Sequence, residues 1–183
     1  MTVAIEPAPH RLTWEAFIEL PRELLRNAEL HDGEVVYVAP AERHHQLTLV
    51  NLIGVLLPWV RKQHGEMIPD AFVRIAERWG YQPDLAFYTA DRVPEGRSYY
   101  QQAPNLVVEI LSPSTRRKDL MRKPPHYLSV GVEEIWLVDV EERLIMVIGP
   151  DLAYHEFATG DTLTSSVLPG FQVAFDELID PDR

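Results

Sequence analysis

The chain has 183 residues, the size of one ordinary domain, and its 46% hydrophobic and 25% charged residues exclude wholesale disorder, collagen-like repeats and coiled coil. It has no cysteine, which removes disulfide frameworks, thiolate zinc sites and thiol nucleophiles together. The formal net charge of −11, from 17 basic and 28 acidic residues, sets the overall field against phosphate backbones, so any nucleic-acid contact must rest on a local basic patch. Such a patch exists, because 5 of the 17 basic residues fall between Arg116 and Lys123. The longest apolar stretch, 47–60, is broken by Asn51, Gly54 and Pro58 and falls short of the roughly 20 residues a bilayer span needs. The first ten residues have no basic flank followed by an apolar run, so no secretory signal is expected. The expectation is a soluble, cytoplasmic protein without membrane contact.

In chain order, residues 1–10 read as a flexible N-terminal arm and 11–183 as a single domain. Thr13 is placed to cap a short helix over 14–20, and 21–25 make a second helical turn. Residues 28–30 and 34–38 predict a hairpin across His31-Asp32-Gly33. The apolar positions Leu47, Val50, Leu52, Ile53, Leu56, Leu57 and Val60 predict a helix over 44–63, bent at Pro58 and ended at Gly65. The period then changes to two. Strands are predicted over 67–77, 82–88 and 105–111, with a long charged loop over 91–102. The run 105–111 is almost wholly apolar, as a central strand covered on both faces should be. After a basic helical stretch over 112–122 and a helix over 124–130, a hairpin is predicted from 134–140 and 144–148. Shorter strands follow near 153–157 and 171–175. One mixed α/β domain results, with helices packed on a sheet.

The chemistry lies in the charged residues that interrupt this pattern. Pro83-Asp84 opens one strand, Glu109 breaks the apolar run 25 residues later, and Lys123 follows after another 14. A charge inside a buried strand is expensive unless it is paired, hydrogen-bonded or bound to metal. Two neighbouring carboxylates repel, and a divalent cation removes that cost. Magnesium takes oxygen ligands, usually one or two carboxylates with waters and substrate phosphate. An ammonium group beside it could orient or deprotonate an attacking water. This set suits phosphodiester hydrolysis.

The sequence resembles the Uma-type family of bacterial restriction-endonuclease-like proteins, within the PD-(D/E)XK nuclease superfamily. The resemblance is carried by Ala28-Glu29-Leu30 with Asp32-Gly33-Glu34, His45-Gln46, and Pro83-Asp84-Leu85-Ala86-Phe87. It continues through the run from Pro104 to Thr115, then Asp119, Lys123, Tyr127, Gly131-Val132, Trp136-Leu137-Val138-Asp139 and Leu168-Pro169-Gly170-Phe171. It implies a restriction-endonuclease-like fold of mixed α+β class, with a central mixed sheet flanked by helices. It also implies that Asp84 and Glu109 hold Mg2+, or Mn2+ in its place; the backbone carbonyl of Ile110 or a neighbour is expected as a further ligand. Leu111 stands where most of the superfamily keeps lysine, and Lys123 matches the lysine that this family supplies from the following helix. Glu29 would be the additional acidic group near the metal. His45 would border the cleft, and Arg116, Arg117 and Arg122 would hold phosphate. The implied activity is magnesium-dependent endonuclease cleavage of DNA by a homodimer.

Lys123 is followed by Pro124-Pro125, and a proline disfavours helical backbone in the residue before it. The helix is therefore expected to break at Lys123 and restart at the prolines. That break, with the acidic balance, supports an alternative: a catalytically inactive nuclease fold used as a binding or assembly module. Each site residue also has a plainer expectation. Glu29 could sit exposed in its hairpin, His44 on the surface, Tyr127 and Trp136 in the core, and Asp139 in a structural turn.

Overall fold

The computed structural model describes residues 11–38, 42–93, 102–112 and 116–179, with only the backbone of 116–119. Two short helices, α1 (Trp14–Ile18) and α2 (Arg22–Leu25), lead into the hairpin of β1 (Ala28–His31) and β2 (Glu34–Tyr37). Thr13 caps α1 by accepting the Ala16 N–H at 3.3 Å. Asp32 and Gly33 both have positive φ, which matches a two-residue hairpin turn of primed type. Helix α3 (Arg43–Lys62) follows, then β3 (Glu66–Pro69), β4 (Val73–Ala76), β5 (Trp79–Tyr81), β6 (Leu85–Tyr88) and β7 (Leu106–Ile110). Helix α4 (Arg116–Ser129) leads to β8 (Glu134–Asp139), β9 (Leu144–Ile148) and β10 (Tyr154–Phe157). Strands β11 (Thr162–Thr164) and β12 (Gln172–Ala174) and helix α5 (Phe175–Leu178) come last.

The main sheet has the order β10-β9-β8-β7-β6-β3, and a second sheet has the order β2-β1-β5-β4. Within the main sheet β7 and β8 pair in parallel, joined over one face by α4; the other neighbours are antiparallel. The mixed α+β class with a helix-flanked sheet is thus as the sequence predicted.

Alternation along β7 divides the interior in two. Leu106, Val108 and Ile110 pack with Leu49, Leu52, Leu56 and Val60, the apolar stripe of α3. Val107 and Leu111 turn to the other face, where Tyr127, Leu137 and Tyr81 pack. Each fully buried side chain of this size contributes about 1.5–3 kcal/mol. A strand buried on both faces needs an almost continuous apolar run. Glu109 sits between Val107 and Leu111 and shares their face.

Three expectations need correction. The strand expected over 67–77 is two strands in different sheets, because Asp70 adopts φ 52° and turns the chain from β3 towards β4. The strand expected over 82–88 begins only at Leu85, and Pro83, which has no N–H for a ladder, separates it from β5. The break expected at Lys123 does not occur, for α4 runs unbroken through Pro124 and Pro125. Each proline leaves the carbonyl four residues back, on Leu120 and Met121, without its helical donor. Met121 is 75% exposed, which leaves that turn open to water. The cost of prolines inside a helix, about 3 kcal/mol or more, is offset by the ion pairs and packing that α4 makes on its inner face. The arm expected over 1–10, most of the loop expected over 91–102, and the side chains of Arg116 and Arg117 lie outside the described residues.

Candidate active site

Leu85 lies opposite Val108 and Ala86 opposite Val107, and continuing this register by one position beyond the end of β6 sets Asp84 across from Glu109. Opposed residues of an antiparallel pair project from the same face. Two carboxylates therefore start side by side from neighbouring strands. Asp84 Oδ2 accepts the Ile110 N–H at 2.6 Å, and its Oδ1 lies 3.0 Å from His45 Nε2. Both contacts follow from local structure. Pro83 places Asp84 just ahead of the β6 ladder, and the first turn of α3 delivers His45.

Glu109 is 5% exposed and is bonded from α4 by two residues one turn apart. Lys123 Nζ lies 3.0 and 3.1 Å from its two oxygens, and the Tyr127 hydroxyl donates to Oε1 at 2.6 Å. Residues four apart share a helix face, so continuity of α4 past the prolines is what aims both at one carboxylate. Lys123 Nζ also lies 3.0 Å from Glu29 Oε1 on β1. The ammonium thus bridges acids from both sheets.

Glu29 is only 3% exposed. It accepts the Gln82 N–H at 3.2 Å, and its Oε2 meets His31 Nε2 at 2.8 Å. Burial pushes its carboxyl up, but the Lys123 charge and the bonds from His31, Lys123 and Gln82 outweigh burial and hold it down at about 2. Glu29 is therefore ionised across the neutral range. Tyr81 stands beside this cluster, with Lys123 Nζ 5.5 Å from its ring centre and its hydroxyl 2.6 Å from His126 Nδ1. Burial first, then the Glu29 and Glu109 charges, raise the pKa of the fully enclosed Tyr127, which keeps its proton to donate.

Asp70 lies on the outer side of Asp84. Its backbone is tied in place by its N–H on the Asp84 carbonyl at 3.3 Å and by Gln82 Nε2 on its own carbonyl at 3.0 Å. Partial desolvation and the Asp84 charge raise its carboxyl above the usual range, against the pull of His45. Desolvation works to lower His45, but the bond to Asp84 and the charges of Asp84 and Asp70 raise it on balance. His45 Nδ1 is buried without a hydrogen-bond partner among the described residues.

The residues named from sequence mostly meet. Lys123 joins Glu109 to Glu29, and Asp84 joins His45 to the backbone of Ile110; the two groups meet where Glu109 and Ile110 adjoin on β7. Arg122 stands apart from them, with its guanidinium 5.8 Å from the centre of the Trp79 ring. His44 is exposed and Asp139 accepts the Glu142 N–H in a turn, in line with their plainer expectations. Three residues of the site were not foreseen: Asp70, His31 and the hydroxyl of Tyr127. The i, i+4 spacing of Tyr127 from Lys123 was a usable signal for the last.

The donor set is one of hard oxygens, which magnesium prefers over nitrogen or sulfur. Each Asp84 oxygen accepts one bond here and, as a carboxylate oxygen, has a second lone pair. Asp70 and Asp84 repel across the outer rim, a cost that a cation relieves. Among the described residues no three His, Asp or Glu side chains form a cage around a metal position. One or two carboxylates completed by waters and phosphate are enough for magnesium; on that count Asp84 fits it, whereas Glu109 Oε1 already accepts from both Lys123 and Tyr127.

Among the described residues no helix is long and apolar enough to cross a membrane. No curated protein matches the chain. A crystal structure titled as a putative nuclease belonging to DUF820, from Anabaena variabilis, superimposes with a TM-score of 0.81. It is 18% identical in sequence, and the match covers 91% of this chain and 97% of that one. The fold is therefore shared with that protein. The Uma2 family, described as "Putative restriction endonuclease", matches residues 14–176, and the chain belongs to it.

Proposed function

We propose that this protein is a magnesium-dependent nuclease that hydrolyses phosphodiester bonds in DNA. The observation that supports the reading is that Asp84, just ahead of β6, accepts the N–H of Ile110, the residue next to Glu109 on β7, while Lys123 is bonded to Glu109. Asp84, Glu109 and the Ile110 carbonyl would hold the ion, with Asp70 at its outer side. When bound, the ion supplies a Lewis acid for a phosphate oxygen and lowers the pKa of a ligated water. The protein's own groups do the positioning. Lys123, charge-balanced by Glu29 and Glu109, orients the nucleophilic water and offsets negative charge gathering on the phosphate. Glu29 fixes the ammonium from the opposite sheet. His45 fixes the rotamer of Asp84. Arg116, Arg117 and Arg122 supply the local basic patch that a chain of net charge −11 needs to hold a phosphate backbone.

The test is plasmid cleavage with magnesium or manganese by the wild type and by Asp84→Ala, Glu109→Ala and Lys123→Met. Cleavage by the wild type alone is expected. Equal cleavage by all four would remove the assigned roles. A wild type that neither cuts nor binds either metal in a calorimetric titration would establish the non-catalytic module instead. The main motive for that module, a break of α4 at Lys123, is absent from the fold. The proposed homodimer has an open edge available in β10, where Tyr154 is 57% exposed. Light scattering that shows only monomer at tens of micromolar would count against it.

A further inference from the structure

A cavity of about 340 Å³ opens beside the carboxylate–lysine cluster, walled by Trp79, His31, Val36, Arg11 and Arg122. Its size falls within the roughly 300–1,000 Å³ of small-molecule sites. Two of its walls continue directly into the cluster. His31 bonds Glu29 at 2.8 Å, and Arg122 immediately precedes Lys123 on α4.

The wall carries two rings, Trp79 and His31, two cations, Arg11 and Arg122, and two acids, Asp32 and Glu34, of which Asp32 is taken up by Arg11 and Arg78. Trp79 is half-buried, and it is wedged edge-on against His126 at 4.9 Å and tilted against His31 at 5.6 Å between ring centres. These contacts hold the indole rigid, and a rigid ring loses little entropy when a ligand stacks on it. The exposed Arg122 guanidinium lies 5.8 Å from the indole centre and makes no ion pair among the described residues. Arg11 is already paired with Asp32, as is Arg78 at 3.2 Å. Arg122 is thus the cation of this wall that is left for an incoming anion.

An indole with a guanidinium over it that makes no ion pair among the described residues matches a nucleotide, whose base stacks against these planar groups while its phosphate meets the charge. A base within a duplex is already stacked on both faces and cannot present one to Trp79. The geometry points to a subsite for an unpaired nucleotide at Trp79 and Arg122, so that the strand presented to the Glu29–Lys123–Glu109 cluster is single-stranded or locally unpaired. This inference rests on the nuclease reading above and specifies its substrate class.

The test is fluorescence anisotropy with the full chain, at low salt and in EDTA, so that binding is read without cleavage or metal. The probes are a fluorescein-labelled 12-mer single strand of DNA and the same sequence as a duplex, with an unlabelled nucleoside monophosphate as competitor. Tighter binding of the single strand by about tenfold or more is expected, from the stacking of a base on an aromatic side chain. Trp79→Ala should weaken the single strand and leave the duplex unchanged, and Arg122→Gln should weaken the single strand by more than it weakens the duplex. Trp79→Phe should restore most of the loss, which a purely structural role at the domain surface would not produce. Arg122 is exposed, so its variant tests the site even where Trp79→Ala unfolds.

Equal affinity for the two DNAs, or wild-type binding by Arg122→Gln and Trp79→Phe together with loss only in an unfolded Trp79→Ala, would overturn the subsite. A monophosphate that competes as well as the unlabelled strand would overturn the strand as ligand. Failure of the nuclease reading is seen elsewhere, in the absence of metal-dependent cleavage. The two failures are distinguishable.

Discussion

Tyr127 donates its hydroxyl to Glu109 Oε1 at 2.6 Å from one helical turn beyond the lysine that bonds the same carboxylate. A tyrosine at 0% exposure would be unremarkable as packing; the direction of its hydroxyl makes it part of the site. Tyr127→Phe keeps the ring and removes one charge-assisted hydrogen bond. A loss of about 1.5–3 kcal/mol in urea unfolding is expected. Loss of nuclease activity with stability unchanged would mean that the hydroxyl acts elsewhere than on Glu109.

Lys123→Met tests the bridge between the two sheets. It leaves Glu29 and Glu109, 3% and 5% exposed, without the cation between them. Removing one partner of a buried ion pair typically costs about 3–5 kcal/mol. The same substitution in a Glu29→Gln background should cost markedly less, because one of the stranded charges is already gone. Additive losses in this double-mutant cycle would show that Glu29 and Lys123 do not interact.

The pH dependence of stability has a definite sign at Glu29. Its folded pKa of about 2 lies below the ordinary value of 4.5, so folding favours the charged form. The resulting stabilisation is complete above about pH 5 and is lost as pH falls towards 2, on the order of 3 kcal/mol by linkage. Glu29→Gln lacks this dependence. The gap in unfolding free energy between wild type and Glu29→Gln should therefore narrow between pH 6 and pH 3. A gap that widens on acidification would contradict the contacts from Lys123 and His31.

Much of this site was legible because burial and charge conflict in the sequence itself. Glu109 inside an apolar run must find partners, and Asp84 and Lys123 stand at workable spacings from it. The α3 stripe and the hairpin at Asp32-Gly33 were equally plain, since period and turn chemistry are local. What was not legible depends on tertiary structure. Asp70 divides a continuous alternating pattern between two sheets, and period-two alternation is the same whichever sheet a strand joins. The continuity of α4 through Pro124-Pro125 contradicts local propensity, and only the contacts of Lys123 and Tyr127 with Glu109 account for it. His31 reads as an ordinary hairpin residue until the second sheet brings Glu29 and Trp79 beside it.

Asp70 offers the sharpest separation of structure from function. Its backbone, not its carboxylate, makes the bonds to Asp84 and Gln82, and asparagine tolerates its left-handed φ of 52°. Asp70→Asn therefore keeps the turn and removes one of two repelling charges. In the absence of divalent cations the variant should melt at a higher temperature than the wild type, because the repulsion from Asp84 outweighs the attraction of His45. Manganese titration should move the other way, with weaker binding, because the same charge that destabilises the free protein attracts the ion. Opposite shifts in these two measurements are the mark of a residue kept for the site at a cost to the fold. Unchanged melting and unchanged affinity would place the Asp70 carboxylate outside it.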